Sequence, residues 1–234
     1  MEKRTIYILI TVCVALLLLW FGARMGGDKA SVEEIVSTDN TEVTTTGLEE
    51  DNKNENIIMD TQQENSQKNP IATLHTNKGD IALELFLDRM PITAGNFLKL
   101  AESGYYDGIK FHRVIDGFMI QGGDPNSKGD NTATYGTGGP GYAIEDEFVD
   151  GISNVRGTIS MANSGPNSGG SQFFINLVNN TNLDFDKQPL SSKHPVFGKV
   201  VGSLDVVDSI GGVAVGARDI PVDAVVIENI SVAK

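Results

Sequence analysis

The chain has 234 residues and a formal net charge of −13, enough for one or two domains. No basic stripe stands out against that acidic balance, which excludes the electrostatic footprint of a nucleic-acid binder. A single cysteine, Cys13, forbids an internal disulfide, and three histidines (His75, His112, His194) without a cysteine pair give no metal-ligand spacing. Neither a metal nor a cofactor is expected.

The charge is unevenly spread. Residues 1–27 carry Lys3, Arg4 and Arg24 against Glu2, residues 28–69 hold eleven acids and three lysines, and residues 70–234 contribute the remaining −7. Residues 5–23 are nineteen positions without a charge. A helix of that length spans roughly 28 Å, close to the ~30 Å bilayer core. Trp20 and Phe21 sit where interfacial aromatics belong, and the basic residues on the N-terminal side place the N-terminus in the cytoplasm and the rest of the chain outside. A transmembrane anchor within residues 1–27 is therefore expected. A cleaved signal peptide is the alternative, but its apolar region is normally shorter, and Ala23-Arg24-Met25 is a poor cleavage site. Ile10-Thr-Val-Cys13 only loosely resembles a lipoprotein box. In both cases the product is exported.

Residues 28–69 are rich in Asp, Glu, Asn, Thr, Ser and Gln, with few large apolar residues and no periodicity. Such a segment cannot bury enough surface to offset its ordering entropy. It is expected to be a disordered acidic linker, about 35 to 40 Å end to end as a flexible coil.

The globular domain is expected to run over residues 70–234. Ile71–Thr76 and Asp80–Phe86 alternate like strands and are joined by Asn77-Lys-Gly79, a hairpin signal. Pro91–Ser103 predicts a helix, with proline in the first turn, a stripe of Ala94, Phe97, Leu98 and Ala101, and Gly104 at the C′ position. Thr158–Asn163, Gln172–Leu177, Val196–Val201 and Val222–Val232 predict further strands. Ser203 is placed to cap a short helix with Leu204, Val207 and Ile210 on one side, ended by Gly211-Gly212. Many short strands and two helices suggest one mostly-β domain, most simply a closed barrel.

One stretch stands apart. Phe111–Asp124 is apolar enough to be buried, yet carries His112, Arg113 and Gln121 and ends in Gly122-Gly123. Buried polar groups are costly unless paired, so the stretch is either a pair of core strands with satisfied polar residues or one wall of a ligand pocket. Gly136-Thr-Gly-Gly-Pro-Gly141 matches a dinucleotide fingerprint literally, but no buried strand precedes it and Pro140 follows where a helix should open. It is expected to be a surface loop lining a groove.

Three segments together resemble the cyclophilin family of peptidyl-prolyl cis-trans isomerases, in particular a membrane-anchored, bacterial-like member. They are Phe111–Asp124, Ser160-Met-Ala-Asn-Ser-Gly-Pro-Asn-Ser-Gly-Gly-Ser-Gln-Phe-Phe-Ile175, and His194-Pro-Val-Phe-Gly-Lys-Val200. They occur in the family's order and near its spacing. The resemblance covers the chain from about Pro70 to the end and implies an eight-stranded antiparallel barrel capped by two helices. It places the catalytic arginine at Arg113 and the floor and wall of a proline pocket at Phe118, Met119, Phe174 and Leu183. Substrate-contacting polar positions fall on Gln121, Asn163, Gln172 and His194, with Ala162 beside them; Phe111 and His112 read as structural. Asn182 stands where the family often has a rim tryptophan, and the segment 184–193 is longer than in compact members.

The implied substrates are proline-containing polypeptides. The implied activity is X-Pro isomerisation assisting the folding of exported proteins, by a domain expected to be monomeric. A non-catalytic barrel that binds proline peptides is the competing function; the intact Arg113, Phe118, Gln121 set favours the enzyme.

Overall fold

A computed structural model of the chain describes residues 69–188 and 193–233. The expected anchor and all of the linker except Asn69 lie outside these residues. Among the described residues no helix is long and apolar enough to cross a membrane.

Eight antiparallel strands and two helices make a mostly-β unit. In chain order they are β1 (Ile71–Thr76), β2 (Gly79–Leu85), α1 (Pro91–Glu102), β3 (Arg113–Ile115), β4 (Met119–Gly122), β5 (Thr158–Met161), β6 (Phe173–Asn176), β7 (Val196–Gly202), α2 (Leu204–Gly211) and β8 (Ile227–Ala233). The strand order is β3-β4-β6-β5-β7-β2-β1-β8. The two ends of that order are tied through the residues that precede β3. Phe111 N donates to Val225 O at 2.9 Å, and Gly108 N and Ile227 N donate to Ile227 O and Ile109 O, each at 2.8 Å.

The hairpin behaves as its alternation predicts. Ala72, Leu74, Ile81, Leu83 and Leu85 are fully buried, because successive side chains on a strand face opposite ways. Gly79 sits at φ +122° against Val206, a backbone region open to glycine and strained for other residues. On the outer face His75 brackets three strands, pairing with Asp80 at 2.9 Å and Ser231 at 2.8 Å.

Helix α1 starts at Pro91 as expected, but Met90 offers no side-chain cap. The Glu147 carboxylate, 54 residues away, accepts from Thr93 N at 2.9 Å and from Ile92 N at 3.3 Å. It satisfies two of the amide donors that a helix start leaves open. The buried stripe is Thr93, Ala94, Phe97, Leu100 and Ala101. Leu98 is only half-buried, so the apolar face is rotated slightly from the expected one. Phe97 anchors the core, with ring centroids 5.1 Å from Tyr106, 5.5 Å from Phe173 and 5.3 Å from Phe197.

Two expectations near the C-terminus are corrected. Ser203 precedes α2 in a left-handed conformation and makes no side-chain cap bond, and Leu204 is exposed while Val207 and Ile210 are buried. The last strand begins at Ile227 rather than Val222, because residues 214–222 turn back on themselves, with Val222 N bonded to Ala214 O and Gly216 N to Ile220 O.

Candidate active site

The pleat sorts the opening stretch onto two faces. Val114 and Ile120 point into the main core, fully or nearly fully buried. Arg113, Ile115, Met119 and Gln121 take the opposite face. Register then sets a row across three strands: Arg113 lies opposite Gln121, and Gln121 lies opposite Phe174. Directly paired residues bring their Cβ atoms within roughly 5 Å, so a cation, an amide and an aromatic ring are side by side.

Next to this row is a second, small apolar cluster apart from the main core. Met119, Phe174 and Leu183 form it, with Ile115, Phe118 and Ala162 packed against it. All five residues expected to line a proline pocket or stand beside it (Phe118, Met119, Phe174, Leu183 and Ala162) are therefore in one cluster. Leu183 reaches it from a 3-10 turn, Thr181–Leu183, in which the middle residue, Asn182, is exposed. Residues 189–192 of the long segment lie outside the described residues.

The polar positions are held by hydrogen bonds, Gln121 and Gln172 to each other and the rest to backbone carbonyls. Gln121 Nε2 donates to Gln172 Oε1 at 3.0 Å, and Gln172 Nε2 donates to Gly138 O at 2.8 Å. Asn163 Nδ2 donates to Lys193 O at 2.7 Å. His194 sets its ring edge-on to Phe174, centroids 5.3 Å apart. Its Nδ1 lies 3.1 Å from Met161 O. A carbonyl can only accept, so Nδ1 carries the proton and Nε2 is left as an acceptor. Burial pushes the His194 pKa down against the opposing Met161 bond, which keeps the ring neutral.

The glycine-rich loop is an active-site wall. Asp124, fully buried, accepts from Gly136 N and from Asn126 N. A Cβ on Gly138 would lie 2.2 Å from Asp124 Oδ1, so glycine is required there for packing. The loop and residues 162–172 enclose a cavity of about 280 Å³ that reaches Gln121. A second cavity, about 370 Å³, lies between Gln121, Arg113, His112, Tyr135 and Asp219. Gln121 stands between the two.

Phe111 and His112 are buried, 1% and 4% exposed, and the His112 ring borders the second cavity. Burial is the main cause pushing the His112 pKa down to about 4, with the neighbouring Arg113 charge adding to it and Asp124 opposing it.

Two groups of site residues carry no sequence motif. Asp219 pairs with Arg113, Oδ2 to Nε at 3.4 Å; the only hint was a charged Arg218-Asp219 in an otherwise apolar segment. Asp184, next to Leu183, is a buried carboxylate behind the small apolar cluster. Its carboxylate accepts from Ser153 Oγ at 2.5 Å, Asn154 N at 2.7 Å and Asn154 Nδ2 at 2.9 Å, and Asn154 Nδ2 also reaches His194 O at 3.2 Å.

Fold and site together define the class: an antiparallel β unit that sets a half-exposed guanidinium and two side-chain amides beside a small apolar cluster. Residues 71–232 match the family model described as cyclophilin type peptidyl-prolyl cis-trans isomerase/CLD. The chain is 45% identical over 162 residues to a peptidyl-prolyl cis-trans isomerase of Arabidopsis thaliana, covering 68% of this chain and 94% of that protein. It is 44% identical over 183 residues to a putative peptidyl-prolyl cis-trans isomerase of Staphylococcus aureus, covering 68% and 89%. A putative bifunctional phosphatase/peptidyl-prolyl cis-trans isomerase of Streptococcus pyogenes is 44% identical over 187 residues, but the match spans only 38% of that longer protein and 70% of this chain. A crystal structure of a Cryptosporidium parvum cyclophilin type isomerase superposes with a TM-score of 0.62 at 32% identity, covering 71% of this chain and 98% of that one. A second structure of that protein, determined in the presence of the dipeptide Ala-Pro, gives 0.61 at 32% identity, covering 70% and 99%. The chain belongs to the cyclophilin-type peptidyl-prolyl cis-trans isomerases. It is an enzyme, a rotamase.

Proposed function

We propose that this isomerase acts through Arg113 on proline-containing polypeptides outside the cytoplasm, held to the membrane by residues 5–23 and spaced from it by residues 28–69. Rotation about an X-Pro bond breaks no covalent bond. Its barrier, roughly 18 to 20 kcal/mol, comes from amide resonance. The twisted amide localises a lone pair on nitrogen, and a guanidinium, which stays charged and planar, stabilises it. Millisecond turnover requires a rate gain of about 10⁵, or about 7 kcal/mol. One preorganised donor supplies about 3 to 4 kcal/mol. The rest falls to the pocket of Phe118, Met119, Phe174 and Leu183, which would grip the proline ring, and to Gln121, Asn163, Gln172 and His194, which would orient the flanking chain.

The observation that carries this reading is the register that sets Arg113 beside Gln121 and Phe174, at the edge of a separate apolar cluster. Its test is proline-peptide isomerisation by the full chain and by Arg113→Ala. A loss of about 10² to 10³ in kcat/KM is expected; unchanged activity would sink the mechanism. The location is tested separately, by recovering isomerase activity with the full-length chain in the membrane fraction and by its sensitivity to protease added outside intact cells. Size-exclusion of the domain checks the expected monomer.

A further inference from the structure

Arg113 opens a three-residue strand, and its side chain is 44% exposed. A long, exposed side chain on so short a strand is free to wander, whereas stabilising an amide needs a guanidinium in a set orientation. Among the described residues its one bonded partner is Asp219, at 3.4 Å through Nε. Arginine has five N–H donors in a planar fork. A carboxylate on Nε fixes the plane of that fork and leaves the four terminal N–H groups for the substrate.

Asp219 is not placed there by an easy backbone. Arg218 and Asp219 have φ of +62° and +60°, a region that residues with a Cβ seldom adopt. Two sets of contacts surround it. The loop 216–220 is closed by Gly216 N to Ile220 O at 2.8 Å and by the Val215–Pro221 bridge. The Arg218 guanidinium donates to Thr132 O at 2.7 Å and Tyr135 O at 2.9 Å, tying the strained pair to the loop that carries Gly136. Costly conformations persist only where the surroundings over-determine them, and they gather at functional sites. Asp219 and Arg113 border the same cavity, together with Gln121.

We propose that Asp219 is a positioning residue for Arg113: its carboxylate holds Nε and aims the terminal amino groups at the isomerising amide. This rests on the role of Arg113 given above. The bond is long and partly solvated in the free protein, and a seated peptide that excludes water strengthens it. A competing effect runs the other way, since a carboxylate also offsets part of the arginine's charge. Asparagine separates the two, because it keeps an acceptor oxygen and removes the charge.

The experiment measures kcat and KM for a proline tetrapeptide with the full chain carrying Asp219→Gly, Asp219→Asn, Arg113→Ala or Arg113→Ala with Asp219→Gly. Glycine adopts the φ of +60° without strain, so the deletion does not force the loop to refold; thermal unfolding confirms that each variant is folded. Positioning predicts that Asp219→Gly lowers kcat about 10-fold or more with little change in KM. It predicts that Asp219→Asn recovers to within about threefold of wild type, and that Asp219→Gly costs less than about twofold once Arg113 is absent. A folded Asp219→Gly with wild-type kcat, an equal loss in the Arg113→Ala background, or a rate above wild type for Asp219→Asn would overturn the proposal. Unimpaired Arg113→Ala would instead overturn the mechanism beneath it.

Discussion

Asp184→Ala tests whether the wall of the proline pocket is held by a buried carboxylate rather than by the apolar cluster itself. The carboxylate is 8% exposed and accepts three hydrogen bonds from Ser153 and Asn154. Ser153 is half-buried and can turn to water, so its loss counts for little. Asn154 is 1% exposed, and its backbone N–H and one side-chain N–H would lose this acceptor. Each buried donor stranded in this way costs about 1 to 3 kcal/mol. Two of them, not fully additive, give about 3 kcal/mol. For a domain of this size 1 kcal/mol shifts Tm by about 2 to 4 °C, so a drop of about 6 to 12 °C is expected. The same change loosens Leu183, the preceding residue, and frees Asn154, which also bonds His194 O. KM for a proline peptide should therefore rise more than kcat falls. Urea unfolding and calorimetry on the folded domain, paired with isomerisation kinetics, measure both effects. A loss under about 1 kcal/mol, with KM unchanged, would show that the donors find other partners and that Asp184 does not hold the wall.

Gly123→Ala should be more damaging still. A Cβ there would lie 2.2 Å from Ser171 O and 2.9 Å from Gln172 Cα, at φ +86°. Loss of about 3 kcal/mol or more is expected, read as little soluble folded protein. Stability should fall as pH drops from 6.5 toward about 4, because His112 stays neutral in the folded chain until about 4 while the unfolded chain protonates near 6.5. That difference corresponds to about 3 kcal/mol, fully present above pH 6.5 and lost at the acid end of the window. His194, also lowered by burial, acts in the same direction. His112→Gln should flatten the pH dependence of urea unfolding across that window, and an unchanged slope would remove His112 as its cause. Finally, the family resemblance makes a rim tryptophan a cyclosporin contact. Exposed Asn182 has no indole, so Asn182→Trp should tighten cyclosporin inhibition of isomerase activity, and equal inhibition of both proteins would refute that role for the position.

Much of the site was legible because its residues cluster in three short, chemically odd segments. Apolar runs that contain arginine, glutamine or asparagine need a partner or a ligand, which flagged Phe111–Asp124; the ten site positions themselves came from the family resemblance, and the structure sets them around one small cluster and one cross-strand row. Leu183, which precedes the longer segment and lies outside the three motifs, packs on Met119 and Phe174. The hidden contributors are different in kind. Asp219 acts across 106 positions on Arg113, and Glu147 caps α1 from 54 positions away. Each is an acidic residue in a loop, and beyond the charged Arg218-Asp219 pair in an apolar segment no local pattern names the group it will meet.

Local chemistry and periodicity by themselves determined the hairpin of β1 and β2, the start of α1 at Pro91, its C′ glycine and the class of the fold. These depend on alternation, fixed φ and steric freedom at single residues. Tertiary structure decided what local pattern cannot hold. It rotated the buried stripe of α1 toward Leu100, delayed β8 to Ile227, and left Ser203 in a left-handed turn without a capping bond. It also decided which carboxylate meets Arg113. Strand register and loop closure bring residues together by their positions in space, and that placement follows from the packing of the whole sheet rather than from the identity of the residues placed.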